Sequence, residues 1–318
     1  MTAVVTLTMN PALDIATAVD RLVPTHKLRC AAPRYDPGGG GINVARAVHA
    51  LGGEALAIFP AGGAAGEMIR RLLREEGVVH DALAIAGFTR ESLAIEERAS
   101  GEQYRFILPG PEIGEADQQR CLDRLGEAAA GADYIVASGS LPPGVAENFY
   151  ARVAALARAH GKRLVLDTSG AALKMAGHGS YLLKPSLREL EDLTGHQIRS
   201  ERQEEQAARE LIEQGRSEVI VLSLGARGAV LVSREETTRF PTIPVKATST
   251  VGAGDSMLAG ILVGLTRGLE LREAVGFGMA AGAAALLGSG TQLCRLGDVE
   301  RLYAQMSAGH PASAEPGH

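Results

Sequence analysis

Short apolar runs alternate with longer amphipathic segments from about residue 115 onward, and this alternation restricts the fold more than any other feature of the chain. Apolar runs bounded by turn residues predict strands, and apolar residues three or four positions apart predict helices. The predicted strands are 134–137, 163–167, 181–184, 218–223, 229–233 and 238–240, and the predicted helices are 149–159, 201–214, 256–267 and 273–287. This order is typical of a doubly wound, mostly parallel α/β sheet with helices on both faces.

The first third of the chain contains two kinds of strand. Residues 4–8 and 55–59 are apolar enough for a buried sheet, and helices are predicted at 42–51 and 67–76. Four further segments alternate apolar and polar residues, which favours a small, half-exposed sheet. These segments are 15–19, 27–35, 93–98 and 103–108, and Pro37 with the glycines after it is predicted to end the second of them.

Composition argues against several functional classes. With 32 Lys and Arg against 37 Asp and Glu, the net charge of −5 favours neither nucleic acid nor an anionic membrane as a partner. The three cysteines, Cys30, Cys121 and Cys294, are odd in number and far apart, so neither a disulfide framework nor a zinc site is predicted. The N-terminal residues do not resemble a signal peptide and no 18-residue apolar run occurs, so we expect a cytoplasmic protein.

Polar residues stand at or just after several predicted strands. They are Ser138, Asp167, Lys184, Ser223 and Gly225. In open α/β sheets, ligands bind outside the carboxyl ends of the strands. The sequence therefore predicts one wide ligand site at that edge.

The glycine-rich turn at residues 250–256 (TVGAGDS) carries the strongest chemical signal, and an apolar helix follows it at once. The amides of Gly252, Ala253 and Gly254 can converge on one point, where the helix dipole adds to their field and favours a phosphoryl group. Asp255, in the first helical turn, can accept the proton of an attacking hydroxyl. The alternative is a glycine-rich turn in which Asp255 is only a helix N-cap.

Residues 38–41 are four consecutive glycines, and Asn43 follows them. Backbone without Cβ atoms can lie against a sugar ring, and the Asn43 amide can donate to and accept from a pair of hydroxyls. One alternative is a flexible turn before a helix. Another is a dinucleotide-binding loop, but the G-x-G-x-x-G spacing is absent.

These motifs also carry a family resemblance. Residues 250–256 resemble the signature of the ribokinase-like sugar kinases, and residues 38–46 (GGGGINVAR) resemble the substrate-side signature of the same superfamily. Residues 138–144 (SGSLPPG) are similar to its phosphofructokinase branch. With TLTMNPALD, PAGGAAGE, ASGEQYRF and GTQLC, the likeness covers about residues 4–305. The chain is identified as a member of the ribokinase-like (PfkB) carbohydrate kinases, most like their 6-phosphofructokinase branch.

The resemblance implies a Rossmann-like core with a small β-sheet lid, and lids that pair in a homodimer. The core would comprise residues 1–11, 37–87 and 109–307, the lid and dimerisation sheet residues 12–36 and 88–108, and a disordered tail residues 308–318. ATP would then lie at the sheet edge and the sugar beneath the lid.

By resemblance, Asp14 matches the aspartate that binds sugar hydroxyls, and a carboxylate suits two adjacent hydroxyls. The alternative for Asp14 is a turn aspartate. The other predicted sugar contacts are Gly39, Gly40, Asn43 and Ser138.

A phosphorylated sugar needs a local cluster of cations, because the chain as a whole is negatively charged. By resemblance, Lys27 and Arg90 are the preferred residues for this role. Arg29 and Arg105 are predicted to approach from the other subunit. Each of these four side chains could instead be a solvated residue of the lid.

The resemblance places the nucleotide at the edge of the main sheet and not beneath the lid. Lys184 would reach toward the ATP phosphates, and the adenosine pocket would be lined by Ser223, Gly225, Thr248 and Val251. Glu189 would organise Mg²⁺ through water, in a segment where the family usually carries Asn-x-x-Glu and this chain has Ser186 in place of the Asn. A monovalent cation, K⁺, would be held largely through the carbonyls of Ser249, Val251, Gly288 and Gly290.

The predicted reaction is transfer of the ATP γ-phosphoryl group, with Asp255 as a base of ordinary aspartate pKa, about 3.9. Fructose 6-phosphate is the preferred substrate, which makes the chain a glycolytic enzyme. Fructose 1-phosphate and tagatose 6-phosphate remain alternatives, because Asn10 in TMNPALD is more typical of the kinases for those sugars. A non-catalytic sugar-phosphate sensor is the alternative from another class, although the base and the glycine turn are intact.

Overall fold

A nine-stranded sheet forms the centre of the molecule. The computed structural model describes residues 2–288 and 290–308. The strands within these ranges are β1 (Val4–Leu7), β2 (Ala12–Val19), β3 (Arg34–Gly38), β4 (Ala55–Ala61), β5 (His80–Ala84), β6 (Arg90–Glu97), β7 (Glu102–Ile107), β8 (Tyr134–Ser138), β9 (Arg163–Asp167), β10 (Ser180–Leu183), β11 (Ser217–Ser223), β12 (Ala229–Val232) and β13 (Thr237–Phe240). The main sheet has the order β13-β12-β11-β10-β9-β8-β1-β4-β5. Its strands are parallel from β5 to β11, and β12 and β13 add an antiparallel meander at one edge.

Helices cover both faces of this sheet. They are α1 (Gly40–Ala50), α2 (Gly63–Glu75), α3 (Glu115–Ala129), α4 (Phe149–Ala159), α5 (Gly170–Lys174), α6 (Leu187–Thr194), α7 (Glu201–Glu213), α8 (Ala253–Thr266), α9 (Leu271–Ala285) and α10 (Leu296–Ala308). Successive residues of a strand point to opposite faces. On β1, Val4 therefore packs into the core formed with α1, α2, α8 and α9, and Val5 packs into the core formed with α3, α4 and α7. The predicted doubly wound α/β fold is confirmed.

Glycines let α8 and α9 approach each other very closely. A Cβ on Gly260 would lie 2.8 Å from the Cα of Gly278, and a Cβ on Gly278 would lie 2.7 Å from the Met257 carbonyl oxygen. Contacts this short leave no room for a side chain at either position. Part of the high glycine content therefore serves helix packing and not the approach of backbone to a ligand.

The second sheet is small, with the order β3-β2-β6-β7. Strand β2 pairs antiparallel with β3 and parallel with β6, and Asp14 lies directly opposite Asp36 in the first of these pairs. All six residues of β7, at one edge, are exposed. This sheet joins the main body through the short segments on either side of β2, β3, β6 and β7, so its strands come from the chain regions that the sequence singled out.

Several predicted elements differ from the structure. The strand expected at 27–35 is wrong: residues 27–33 are irregular, and β3 begins only at Arg34 and contains Pro37. Pro37 is tolerated because β3 is an edge strand paired only with β2, so no neighbour needs the missing N–H. The sequence reading did not identify β5, α3, α5, α6 or α10.

The chain terminus only partly overlaps the described residues. Ala308, which was predicted to begin a disordered tail, is the last residue of α10. The rest of that predicted tail, residues 309–318, lies outside the described residues. Within the described part of the chain, no helix combines the length and the apolar character needed to cross a bilayer.

Candidate active site

The carboxyl ends of three neighbouring parallel strands bring their polar residues together. Ser138 ends β8, Asp167 ends β9, and Lys184 follows β10. The Lys184 side chain is 7% exposed, and its Nζ lies 3.1 Å from Asp167 Oδ2. Desolvation works to lower the pKa of Lys184, but the opposing attraction of Asp167, Asp255 and Glu189 leaves it above its usual value. The lysine therefore remains charged at this edge of the sheet.

The glycine turn before α8 opens toward that lysine. Gly252 is the N-cap of α8 and has φ = 75°, and no side chain caps the helix. A Cβ built on Gly254 would lie 3.4 Å from Lys184 Nζ, so the ammonium group stands directly beside the first helical turn. Amides of a first turn lack intrahelical acceptors. The turn and Lys184 thus form a small positively polarised surface.

Asp255 lies in the first turn of α8, inside the helix and not at its N-cap, so the reading of Asp255 as a simple N-cap is wrong. Its half-buried carboxylate accepts a hydrogen bond of 3.0 Å from the Asn43 amide. Burial, followed by repulsion from Asp167, raises the pKa of Asp255 to about 6, against the lowering effects of Asn43 and Lys184. The ordinary value expected from sequence is therefore too low, because the tertiary fold removes water from this carboxylate.

The four-glycine segment is tightly packed. Gly39 has φ = 110°, which favours glycine, and a Cβ on Gly40 would overlap the Ser138 hydroxyl. A Cβ on Gly41 would lie 2.6 Å from the Thr8 hydroxyl, which accepts a hydrogen bond of 2.8 Å from the Ile42 amide. Gly40 and Gly41 already belong to α1. The interpretation as a flexible turn is wrong, since these glycines are needed for close backbone contacts.

Asp14 and Arg90 face each other at the base of the small sheet. A Cβ on Gly38 would overlap the Asp14 carboxylate, so glycine is needed to make room for it. Burial raises the pKa of Asp14 to about 6, with Arg90 and Arg105 acting in the opposite direction. Burial lowers the pKa of Arg90, and Asp14 counteracts this. The pair forms a partly desolvated site of mixed charge next to the glycine segment.

The Arg90 guanidinium is held by the segments that connect the two sheets. It donates to the carbonyl oxygen of Asn10 at 3.1 Å and to that of Leu108 at 3.4 Å. Arg105 is exposed on β7, close enough for its charge to act on Asp14. The structure therefore brings two of the four predicted phosphate ligands to this site, and Arg105, which was predicted to approach from the other subunit, acts on Asp14 of its own chain.

Lys27 and Arg29 are exposed on the irregular loop between β2 and β3. In the part of the chain that the structure describes, no hydrogen bond or ion pair ties them to Asp14 or Arg90. Their role toward the phosphate stays a prediction.

The predicted nucleotide residues lie beyond Lys184. Ser223 ends β11 and donates to the Pro185 carbonyl oxygen at 3.2 Å. Gly225 has φ = 58° and begins a single 3₁₀ turn. The Thr248 amide donates to the Leu286 carbonyl oxygen at 2.7 Å, and Val251 is buried next to the glycine turn. Ser223 and Gly225 thus lie at the end of β11, and Thr248 and Val251 lie just before α8, so their grouping into one adenosine pocket stays a prediction.

The residues predicted to hold K⁺ belong to two adjacent segments. The Ser249 hydroxyl donates to the Gly290 carbonyl oxygen at 2.6 Å and accepts from the Val251 amide at 3.2 Å. Gly288 precedes the same loop after α9. Main-chain carbonyl oxygens from two adjoining loops suit a hard cation, so these residues fit the predicted ion.

Glu189 and Ser186 form the N-terminal cap of α6. The Ser186 hydroxyl accepts from the Glu189 amide at 3.3 Å, and the Glu189 carboxylate accepts from the Ser186 amide at 2.8 Å. This capping box orients Glu189 and gives Ser186 a structural task that the sequence reading missed. Among the described residues no group of three or more acidic, His or Cys side chains converges. A single oriented carboxylate fits an Mg²⁺ ion bound mostly by phosphates and water.

Sequence reasoning missed two residues that support this site and the main contact of a third. Asn43 was assigned to the sugar, but its amide donates to Asp255. Asp36 and Thr291, which were not singled out, form a buried hydrogen bond between the small sheet and the loop after α9. The sequence carries no local signal for these contacts, because their partners are 212 and 255 positions apart.

The fold and the site together define a phosphotransferase built on an α/β sheet, with a carboxylate beside the amide-rich N-terminus of a helix. Residues 3–296 match the model for "pfkB family carbohydrate kinase", and the chain belongs to this family. It is 53% identical over 300 residues to the ATP-dependent 6-phosphofructokinase isozyme 2 of Mycobacterium tuberculosis, covering 94% of this chain and 88% of that protein.

Solved structures agree with this assignment. The phosphofructokinase-2 of Escherichia coli in complex with potassium has a TM-score of 0.92 and 42% identity, covering 96% of this chain and 100% of that one. The same Escherichia coli protein in complex with fructose-6-phosphate has a TM-score of 0.91 and 41% identity with the same coverage. The family and fold expected from the sequence motifs are confirmed.

Proposed function

We propose that the protein transfers the γ-phosphoryl group of ATP to fructose 6-phosphate and forms fructose 1,6-bisphosphate, a step of glycolysis. The observation that carries this proposal is the position of the Asp255 carboxylate, in the first turn of α8 and bonded to Asn43 of the glycine segment. The name of the Mycobacterium tuberculosis relative and the fructose-6-phosphate complex of the Escherichia coli relative support this substrate.

Asp255 acts as the general base. Its carboxylate takes the proton of the attacking primary hydroxyl as the new O–P bond forms. A base with a pKa of about 6 is ionised at neutral pH and holds a proton better than an ordinary aspartate. Because the acceptor proton becomes acidic only late in the transfer, correct positioning contributes most of the rate.

The first-turn amides of Gly252, Ala253 and Gly254 form the anion hole. They stabilise the negative charge that spreads over the transferring phosphoryl group. Lys184 adds a positive charge beside them, since its Nζ would lie 3.4 Å from a Cβ at Gly254. An anion hole assembled from amides needs no rearrangement during the reaction.

The sugar phosphate binds between the glycine segment and the small sheet. Asp14, Asn43 and Ser138 hold its hydroxyls, with Gly39 and Gly40 allowing the ring to approach the backbone. Its phosphate is bound by Arg90, Lys27 and Arg105 of the same chain, and Arg29 of a second copy completes the site. The closeness of Arg90 to Asp14 supports this assignment.

ATP occupies the other side of the turn. Ser223, Gly225, Thr248 and Val251 line its adenosine, and Lys184 contacts its phosphates. Glu189 orients water around Mg²⁺, which neutralises phosphate charge when it is bound. K⁺ is held by the two loops that contain Ser249, Val251, Gly288 and Gly290. This proposal is in keeping with the potassium complex of the Escherichia coli relative.

The small sheet is both the lid and the dimer interface. Tyr35, Tyr104, Phe106, Ile107 and Leu108 expose apolar surface on it, and a patch of this kind favours burial by a partner. A second copy of the chain is the partner that brings Arg29 to the site. The division into core and lid regions and the cytoplasmic location stay predictions.

Release of ADP, measured with fructose 6-phosphate, fructose 1-phosphate and tagatose 6-phosphate, tests the substrate. We expect the highest kcat/KM for fructose 6-phosphate. A higher kcat/KM for fructose 1-phosphate or tagatose 6-phosphate would identify that sugar as the substrate instead. Binding of all three without ADP release would identify a sugar-phosphate sensor instead.

A further inference from the structure

A cluster of three side chains joins the small sheet to the loop after α9. Asp36 of β3 accepts a hydrogen bond of 2.7 Å from Arg34 Nε and a short one from the Thr291 hydroxyl. Arg34 Nη2 also donates to the Thr291 hydroxyl at 3.1 Å, so each residue contacts the other two. Asp36 is 9% exposed and Thr291 is 7% exposed. Losing one of the three side chains would remove a hydrogen bond from each of the other two.

One side of this cluster meets the sugar site. Asp36 is the direct cross-strand neighbour of Asp14 in the β2–β3 pair. Side chains that face each other across an antiparallel pair are close enough to interact. The two carboxylates repel each other. A change in the position or charge of Asp14 therefore acts on Asp36, as well as on Arg90 and Arg105.

The other side of the cluster meets the phosphoryl-transfer turn. Gly290, next to Thr291, accepts a hydrogen bond of 2.6 Å from the Ser249 hydroxyl. Leu293 packs on the N-cap of α8, since a Cβ on Gly252 would lie 2.7 Å from Leu293 Cδ2. The loop is thus fixed at one end by Asp36 and rests at the other end on the glycine turn.

We propose that Arg34, Asp36 and Thr291 are positioning residues through which binding of the sugar phosphate and binding of the nucleotide strengthen each other. The inference rests on the proposed function. A sugar bound to Asp14 fixes the β2–β3 pair, Asp36 then fixes Thr291, and the loop holds the turn that receives the nucleotide phosphates. Packed side chains and hydrogen-bond networks can carry coupling between two sites, and the contacts described above form such a network.

A neighbouring ion pair holds the same strand without contacting the loop. Arg46 of α1 donates to both Glu76 oxygens, at 2.7 and 2.6 Å, and to the Pro37 carbonyl oxygen at 2.8 Å. Arg46 Nη2 also lies 3.8 Å from Asp36 Oδ1, so this anchor reaches the aspartate from the side of α1 but not the Thr291 hydroxyl, and Glu76→Gln keeps the Arg46 charge in place. Glu76→Gln weakens this anchor and leaves the Asp36–Thr291 bond in place, which makes it the matched control.

The test measures how much the sugar changes nucleotide affinity. Isothermal titration of a non-hydrolysable ATP analogue is performed with and without the ketohexose phosphate that the wild-type protein turns over fastest. We expect the sugar to tighten nucleotide binding at least about fivefold in the wild type, within the usual range of coupling between sites. Thr291→Val, which keeps the shape and removes the hydroxyl, should reduce the factor below about twofold, with KM for ATP rising more than kcat falls.

Thr291→Ser keeps the hydroxyl and should restore the coupling, and Glu76→Gln should leave it within twofold of the wild type. Unchanged coupling in Thr291→Val, or loss of coupling in Glu76→Gln to the same degree, would overturn the inference. Turnover of fructose 6-phosphate by the wild type decides the proposed function separately. If the wild type turns over none of the three sugar phosphates, both the function and the inference are wrong.

Discussion

The Asn43 amide on α1 donates a hydrogen bond of 3.0 Å to the Asp255 carboxylate on α8. The bond connects the N-terminal turns of two helices that pack against each other, one following the sugar-side glycines and the other following the phosphoryl-side glycines. It orients the Asp255 carboxylate toward the place where the two substrates would meet. It also favours the ionised form of that carboxylate, since a donor stabilises negative charge.

Replacing Asp255 by Asn should separate binding from catalysis. The amide has the shape of the carboxylate and can still accept from Asn43, so both substrates should bind with nearly unchanged affinity. Turnover should fall roughly 10²–10⁴-fold, because the proton acceptor is lost. Steady-state kinetics with calorimetric titration of each substrate measures both effects, and near-normal turnover would remove Asp255 from the role of base.

The same substitution should stabilise the protein above pH 6. The pKa of Asp255 is about 6 in the folded chain against 3.8 for the free side chain, so the folded state binds more protons between these values. Its stability therefore falls as the pH rises through this window. At pH 8, Asp255→Asn should raise the free energy of unfolding on the order of 1 to 2 kcal/mol. Thermal melts of both proteins should show a difference that disappears near pH 4; a variant less stable at pH 8 contradicts the explanation.

Asn43→Leu should move the acid limb of the pH–rate profile upward. The Asn43 hydrogen bond lowers the pKa of Asp255, so removing the donor raises that pKa and the base is protonated at a higher pH. The profile of kcat is measured at saturating sugar, because Asn43 also has a predicted role in sugar binding. An acid limb that stays in place, or moves down, is inconsistent with Asn43 acting on the base.

Gly254→Ala should reduce activity without reducing stability. The new methyl group would stand 3.4 Å from Lys184 Nζ, in the space proposed for the phosphoryl group, and would meet no other atom. Alanine also favours a helix over glycine by about 1 kcal/mol. We expect kcat to fall at least about tenfold with an unchanged or higher melting temperature.

The matched control for Gly254→Ala is Gly297→Ala, in the first turn of α10. A Cβ at Gly297 meets nothing within 4 Å, so kcat should not change. If Gly297→Ala lowered kcat as much as Gly254→Ala, the loss could not be assigned to the anion hole.

Phe106→Asp should dissociate the proposed dimer. Phe106 is 49% exposed on β7, and a charge placed in a buried apolar interface is strongly unfavourable. Light scattering should show a shift from dimer to the 33.2 kDa monomer, and KM for the sugar phosphate should rise because Arg29 of the second copy is lost. Met175→Asp, at an apolar residue that is 50% exposed on the main body, should leave the dimer intact. A dimer that survives Phe106→Asp contradicts the interface.

Helices and strands with a clear local pattern were predicted correctly from the sequence. The helix expected at 149–159 coincides with α4, and the strand expected at 163–167 coincides with β9, because each has a clear period and a clear end. The Ser186–Glu189 cap was overlooked as a helix start, although Ser three residues before Glu is a known signal. The short α6 offers too little periodicity to reveal itself otherwise.

The features that the sequence did not predict depend on contacts between distant parts of the chain. The strand containing Pro37 could be recognised only once β3 was seen to lie at an edge. The pKa of Asp255 depends on burial by segments from distant parts of the chain. The contact between Asp36 and Thr291 spans 255 positions, and a single sequence carries no trace of such a pairing.

The close approach of α8 and α9 has an evolutionary consequence. With Gly260 and Gly278 leaving no space for larger residues, the helix that bears Asp255 cannot be retuned by small shifts in its packing. A change of acceptor must therefore arise elsewhere, on the exposed strands and loops that surround the sugar. The helix that bears the proposed base is therefore constrained by its packing against α9, and the segments proposed to bind the sugar are less constrained in sequence.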